Sequence, residues 1–142
     1  MSTMQINRKV DGRTYSVEVP TVERTPGEVG VNAVVLGRAE LAIAAALALE
    51  SPVGAEGFRF MRGALGLRAV DLAAMLDVNP QTVSRWERGE TAVDRAAWLA
   101  LGTLVLERLE QPPQLQVRMQ RLVQGFKPPK QVRLELAAVP AA

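Results

Sequence analysis

The sequence predicts a mainly α protein in which a small N-terminal β-hairpin and one helix precede a larger helical region. Segments of alternating apolar and polar residues lie on both sides of Asp11 and Gly12, a dipeptide that favours tight hairpin turns. From residue 57 to residue 109 the pattern is almost entirely helical. Apolar residues make up 48% of the 142 residues, which is enough to build at least one core.

The N-terminal part is expected to contain three elements. The hairpin covers residues 4–20, a loop with proline and glycine covers residues 21–30, and a helix rich in alanine covers residues 32–50. Residues 51–54 then predict either a domain boundary or a short loop between packed helices.

A boundary at that point would divide the chain into three parts. Residues 1–54 form a small hairpin and helix domain that is a candidate for partner binding, and residues 55–111 form the helical domain. Residues 112–142 form a basic extension, with a short helix over residues 114–124 and a strand over residues 132–136. The strand is compatible with pairing to the hairpin or to a partner chain.

Residues 58–89 predict three successive helices. The first ends near Gly66, because glycine readily supplies a left-handed cap. The second covers residues 69–76. Asp77 occupies the bend that follows, where a positive φ is often needed and where Asp is one of the few residues besides glycine that tolerate it.

The third helix carries its own start signal, because Asn79 can cap it and Pro80 suits its first position. Val83 and Trp86, three residues apart, form its inner face. The polar residues on the outer face are Gln81, Thr82, Ser84, Arg85 and Arg88. Glutamine can pair with adenine, arginine with guanine, and Ser or Thr with phosphate, so these residues and Asn79 are candidates for DNA contact.

A set of positions of mixed chemistry runs through this segment without a gap: Arg62, Leu65-Gly66-Leu67, Asp71-Leu72-Ala73, Val78, Thr82-Val83-Ser84-Arg85-Trp86-Glu87 and Gly89. Together they resemble the phage-repressor, or XRE-type, helix-turn-helix. The resemblance implies a five-helix DNA-binding domain in which Gln81 and Arg85 read bases. It also implies a buried ion pair between Arg62 and Glu87. Both charges adjoin apolar stripes, where a charge is tolerated only if it is paired.

One position departs from that family. Its second helix usually begins with a glutamine that binds phosphate, whereas this chain has Ala69, so that Arg68 is the nearest candidate for the contact. Residues 56–95 carry six basic and six acidic side chains, so this segment has no net charge with which to attract DNA. Affinity is therefore expected to depend on a second copy of the chain.

The pattern Tyr-Ser-Val-Glu-Val-Pro at residues 15–20, followed by Val-Glu-Arg-Thr-Pro-Gly-Glu at residues 22–28, is similar to the MqsA-type antitoxins. That resemblance implies a toxin-neutralising N-terminal domain and a C-terminal DNA-binding dimer. Zinc-binding cysteines would be expected near Arg24 and Gly27, but the chain contains no cysteine, so packing alone would hold the hairpin. A structural cap or a dimer arm is the alternative role of the hairpin.

The helix over residues 95–110 has an apolar face that is wider than one small domain requires. Part of it is therefore expected to meet a second copy in a two-fold dimer, although Trp98 fits the core of a single chain better. The basic residues that follow are predicted to form a solvated surface that attracts phosphate. They are Arg118, Arg121, Lys127, Lys130 and Arg133.

Composition excludes several functions. The chain has no cysteine and no histidine, so it lacks disulfides, thiolate metal ligands, the commonest general base and the commonest zinc ligand. Neither an enzyme nor a metal or cofactor site is expected. No apolar run is long enough to span a membrane and no apolar signal region follows the N-terminal charges, so a cytoplasmic location is expected.

These observations predict a homodimeric, sequence-specific DNA-binding repressor that acts on a palindromic operator. Its partners would be double-stranded DNA and a cognate toxin whose operon it represses. The alternative is a protein-interaction module, in which the helix-turn-helix is a scaffold and the N-terminal half binds a partner protein.

Overall fold

The structure, a computed structural model, describes residues 2–137 and is mainly α, as the sequence predicts. The described part of the chain contains five strands and six helices. The strands are β1 (Thr3–Val10), β2 (Arg13–Pro20), β3 (Val22–Thr25), β4 (Glu28–Gly30) and β5 (Gln131–Leu134). The helices are α1 (Ala33–Glu50), α2 (Ala55–Ala64), α3 (Ala69–Leu76), α4 (Pro80–Glu87), α5 (Arg95–Arg108) and α6 (Leu115–Gln124).

The expectation of five helices within residues 55–111 is wrong. Four helices, α2 to α5, lie in that range of the described chain, and α6 begins only at Leu115. Pro112 and Pro113 explain the interruption, because proline donates no backbone hydrogen bond and disfavours a helical residue before it. α6 lies beyond the two prolines and outside that range.

The N-terminal hairpin forms as the sequence predicts. β1 and β2 pair in antiparallel register, with Val10 opposite Arg13. The two turn residues have positive φ angles, 48° at Asp11 and 80° at Gly12, as a tight two-residue hairpin turn requires. Alternate residues of β2 are buried, and they are Tyr15, Val17 and Val19.

Residues 21–30, which the sequence predicts to be a loop, form a second small hairpin in which β3 pairs with β4. The Thr25 hydroxyl donates a hydrogen bond of 2.8 Å to Glu28, and the Gly27 N–H donates one of 3.0 Å to Glu23. β3 has only four residues and all of them are exposed. No alternation of buried and exposed positions therefore marks this hairpin in the sequence.

The C-terminal strand completes the N-terminal sheet. β5 pairs in parallel with β2, so that the strand order is β1-β2-β5. The Thr14 N–H donates a hydrogen bond of 2.7 Å to the Lys130 carbonyl, and Tyr15 lies opposite Val132. Of the two pairings that the sequence left open, the one with the hairpin is found.

α1 lies at the centre of the molecule. It begins at Asn32, whose side chain accepts a hydrogen bond of 2.8 Å from the Val34 N–H. Its buried residues are mostly alanines, and it packs against β2, α2, α5 and α6. The apolar core extends from the sheet through α1 to α5 and includes Trp98, which is buried within the single chain. Neither α1 nor another helix of the described residues is long and apolar enough to cross a membrane.

The hairpin turn is also joined to the start of α2. The Asp11 carboxylate accepts hydrogen bonds from the backbone N–H of Gly57 at 2.8 Å and of Glu56 at 3.3 Å, and the Glu56 carboxylate accepts one from the Asp11 N–H at 3.1 Å. A side chain at Gly54 would overlap the Asp11 carboxylate. Asp11 thus caps a helix that begins 44 residues later in the chain, in addition to forming the turn.

Candidate DNA interface

The turn between α3 and α4 has the local geometry that the sequence predicts. α3 ends at Asp77, which adopts the left-handed conformation with φ 56° and ψ 46°. Asn79 then caps α4, because its side chain accepts a hydrogen bond of 2.9 Å from the Gln81 N–H, and Pro80 occupies the first helical position. The Asn79 side chain is therefore engaged in holding the start of α4.

α4 presents one polar face to solvent. Val83 and Trp86 are buried, and the Trp86 ring meets Phe58 of α2 edge to face, with ring centroids 5.6 Å apart. On the opposite side, Gln81 and Arg85 are exposed, and neither side chain forms a hydrogen bond with another described residue. The buried face fixes the rotation of α4, and so it determines which side chains can reach a ligand.

An ion pair joins α4 to α2. The Arg62 guanidinium donates two hydrogen bonds of 2.7 Å to the Glu87 carboxylate and a third, of 2.9 Å, to the Leu67 carbonyl. Glu87 is largely buried and Arg62 is partly buried. Hydrogen bonding to Glu87 raises the pKa of Arg62, so the guanidinium remains charged. The pair holds the end of α4 against α2.

Arg68 lies at the start of α3 and is exposed. Its guanidinium donates hydrogen bonds of 2.9 and 3.0 Å to the Asp71 carboxylate, which also accepts one from the Arg68 N–H at 3.3 Å. These hydrogen bonds lower the pKa of Asp71. To bind a phosphate, the Arg68 guanidinium would therefore have to break its hydrogen bonds to Asp71 or bind the phosphate while still paired with that carboxylate.

Arg88 follows the last residue of α4 and has two partners on the same surface. It donates hydrogen bonds of 3.0 and 3.1 Å to Glu90 and a further one to the Ser84 hydroxyl. The hydrogen bonds from Arg88 lower the pKa of Glu90. Thr82 and Ser84 are half-buried at the edge of the polar face. Gln81 and Arg85 are thus the exposed candidates whose side chains form no hydrogen bond with another described residue.

The prediction that the C-terminal basic residues form one solvated surface is wrong for Arg118. Its side chain is 2% exposed and donates four hydrogen bonds, of 2.9 to 3.1 Å, to neutral oxygens of Ala48, Leu99, Thr103 and Pro113. Burial lowers the pKa of Arg118. Arg121 is half-buried and donates a hydrogen bond of 2.6 Å to the Leu49 carbonyl.

Both arginines therefore bind carbonyl oxygens in the last turn of α1, which lack partners within that helix. A side chain at Gly102 would overlap the Arg118 guanidinium. In the sequence, a glycine within an apolar helix was the feature that could have indicated a large side chain packed against this position. Lys127, Lys130 and Arg133 are exposed and remain able to attract phosphate.

The chemistry of this surface is that of amide, hydroxyl and guanidinium groups. Among residues 2–137, no three acidic side chains lie close enough together to hold a metal ion. Such groups bind base edges and phosphates through hydrogen bonds and charge.

The comparisons with known proteins bear on the same segment. Residues 58–101 match the family model of the helix-turn-helix. The match begins in α2 and ends in α5, so it includes all of α3 and α4. No curated protein and no solved structure matches the chain. Residues 58–101 are therefore similar to a helix-turn-helix of the XRE type, the kind of unit with which transcription regulators bind DNA.

Proposed function

We propose that this protein is a sequence-specific transcriptional repressor that binds a palindromic operator as a homodimer. The observation that carries the proposal is the exposed pair Gln81 and Arg85 on α4. Four residues separate them along the helix, so they lie on the same side of it, opposite the buried Val83 and Trp86.

The chemistry of the pair suits base recognition in the major groove. A glutamine amide can donate to and accept from the edge of adenine, and an arginine can donate two hydrogen bonds to guanine. Arg68, Thr82, Ser84 and Arg88 surround the pair and are proposed to bind phosphates, which orient a protein on the duplex without reading its sequence. Asn79 supports them as the cap of α4.

The charge of this surface supports the requirement for two copies. Arg68 is paired with Asp71, and Arg88 with Glu90, so two of the candidate phosphate contacts are neutralised within the chain. A single copy would therefore gain little from general attraction to DNA. Two copies related by a two-fold axis would bind two half-sites of a palindrome and add their affinities.

Selection of bound sequences from random double-stranded DNA would test the proposal. We expect a palindromic site, and we expect Arg85→Ala to weaken binding to it by about 1–3 kcal/mol for each half-site, which is roughly 5- to 150-fold. Lys9→Ala removes an equal, exposed charge on β1, which has no proposed role in DNA binding, and serves as the control. Equal binding by the parent protein and Arg85→Ala would show that α4 does not read the operator.

We further propose that the protein is an antitoxin whose N-terminal part, residues 1–54, binds the toxin. The support is the resemblance of residues 15–28 to the MqsA-type antitoxins and the exposure of the β3 strand beside the sheet. Burial of Tyr15, Val17 and Val19 gives this sheet an apolar core that needs no metal. Coexpression with the product of an adjacent gene should relieve growth arrest caused by that product and yield a stable complex.

A protein-interaction module that does not bind DNA is the second candidate. It would share the N-terminal surface with the antitoxin proposal, but the full chain would retain no DNA in the selection experiment. The comparison requires the full chain, because β5 completes the N-terminal sheet and Asp11 caps α2.

A further inference from the structure

α6 has an unusual distribution of polar and apolar residues. Its side facing the protein contains Arg118, which is buried, and Arg121 and Leu122, which are half-buried. Leu115, Met119 and Val123 recur every four residues and are exposed, Met119 to 49% and Val123 to 73%. The hydrophobic effect favours the opposite arrangement in a chain that is alone in water.

The exposed stripe of α6 borders a groove between α3, α5 and α6. The groove has a volume of about 530 Å³. Its lining is apolar apart from Thr103 and includes Leu115 and Met119 from α6, Met75 from α3 and Leu104 from α5. Met75 is itself exposed. An open apolar surface of this kind is typical of a site that another protein surface covers.

We infer that a second copy of this chain covers this groove. The inference rests on the homodimer of the proposed function and names the surface through which it forms. Leu115 and Met119 form the α6 wall of the groove, and Val123 continues the same exposed stripe along the helix. A two-fold axis can bring the exposed stripe of α6 in one protomer against the same apolar surface of the other, because a symmetric interface uses one patch on both copies.

The charges around the groove also suit a second copy. Its neighbouring surface, which shares Met75 and Leu104 with it, carries Glu107, Arg108 and Glu110. Because both signs are present, an acid of one protomer can face Arg108 of the other. A surface with charges of one sign would instead repel its own copy.

The position of the groove connects dimerisation to DNA binding. Leu72, Met75 and Leu76 of α3 line it, and α3 is joined to α4 by the turn at Asp77. A dimer formed at the groove would therefore hold the two α4 helices in a fixed relation through a short, packed segment. The spacing of the two half-sites in the operator would follow from this interface.

The test measures mass in solution without DNA. Light scattering with size-exclusion chromatography should give a dimer for the parent chain, a monomer for Met119→Glu, and a dimer for the control Val34→Glu, which alters a residue of α1 that is 66% exposed. A parent chain that is monomeric over a wide range of concentrations would overturn the inference. So would a folded Met119→Glu variant that remains as dimeric as the control.

A second measurement does not depend on tolerance of a charge in the groove. The chain has no cysteine, so a single Met119→Cys substitution provides a unique site for a short bismaleimide cross-linker. We expect covalent dimers from Met119→Cys and none from Val34→Cys. Equal cross-linking of the two variants, or none with Met119→Cys, would contradict the proposed face.

The DNA-binding proposal can be judged separately from the interface. Monomeric Met119→Glu should still bind a single half-site weakly, and Arg85→Ala in that background should remove this binding. If the parent chain is monomeric but binds a half-site through Arg85, the interface is wrong and the DNA-binding function stands. If the parent chain is dimeric through Met119 but binds no DNA, the interface stands and the repressor function is wrong.

Discussion

The carboxylate of Glu87 and the guanidinium of Arg62 are joined by two hydrogen bonds of 2.7 Å, which hold the last turn of α4 to the last turn of α2. Both groups are withdrawn from solvent to a large extent. Their attraction offsets the cost of desolvation only while both are present, because a single buried charge has no compensation. The orientation of the surface that carries Gln81 and Arg85 depends on this pair.

Glu87→Ala is therefore expected to destabilise the protein strongly, by about 3–5 kcal/mol, since it leaves the Arg62 charge without a partner. The free energy of unfolding can be measured by urea titration. The double variant Arg62→Met with Glu87→Leu is the control, because apolar replacement of both partners should restore most of the stability. A Glu87→Ala variant as stable as the parent would show that the pair contributes little to the fold.

The Arg68 and Asp71 pair predicts a dependence of stability on pH in the acid range. Hydrogen bonds from Arg68 hold the pKa of Asp71 below its ordinary value of 3.8 in the folded protein. The unfolded chain then binds a proton at a higher pH than the folded chain does, so the contribution of Asp71 is present above 3.8 and is lost as the pH falls through the lower, folded pKa.

The matched experiment compares the parent with Asp71→Asn, which cannot titrate at this position. The parent should be the more stable protein at neutral pH, and the difference between the two should shrink as the pH decreases below about 4. Thermal unfolding in a series of acidic buffers of constant ionic strength gives the comparison. A difference that stays constant through this range would mean that the exposed pair adds nothing that depends on the charge of Asp71.

Gly102→Ala tests the packing around Arg118. Alanine favours a helix over glycine by about 1 kcal/mol, so the substitution would stabilise α5 in the absence of contacts. In this structure the new methyl group would overlap the Arg118 guanidinium and lie 3.0 Å from the Ala48 side chain. Overpacking of this kind costs about 1–3 kcal/mol, so we expect a net loss of stability.

Gly37→Ala in α1 is the control for that prediction, because a methyl group there meets no atom within 4 Å. It should leave stability unchanged or raise it. The two variants are compared by urea titration under the same conditions. A gain of stability in Gly102→Ala would indicate that Arg118 is not packed against this helix.

The helix-turn-helix could be predicted from the sequence because its geometry is local. The left-handed bend at Asp77, the Asn79 cap and the burial of Val83 and Trp86 each follow from residue types and from spacing within one segment. Short-range steric and hydrogen-bonding preferences act within such a segment, and each of these residues favours the same local conformation.

The parts that could not be predicted depend on distant segments. Arg118 binds the carbonyl of Ala48, 70 residues earlier, and every residue offers a carbonyl, so no side-chain pattern marks the partner. The pairing of β5 with β2 and the capping of α2 by Asp11 are likewise contacts that only the folded chain creates. For this reason Arg118 resembled a surface residue in the sequence.

Glu90→Gln is expected to strengthen DNA binding if the proposed function is right. In the parent, Glu90 accepts two hydrogen bonds from Arg88, which neutralise a guanidinium at the edge of the polar face of α4. The substitution releases Arg88 to bind phosphate, and each additional phosphate that the protein neutralises should make the slope of log affinity against log salt steeper by about 0.9. Fluorescence anisotropy with a labelled operator at several salt concentrations measures both the affinity and this slope.

Glu135→Gln, which removes an equal exposed charge just after β5, is the matched control for this change. Phosphates carry no sequence information, so the ratio of affinities for the operator and for unrelated DNA should not increase in Glu90→Gln. Equal salt slopes for the two variants would place Arg88 away from the DNA backbone. A larger preference for the operator would instead indicate a stronger contact to a base edge by Arg88 or by Arg85, whose charge Glu90 also attracts.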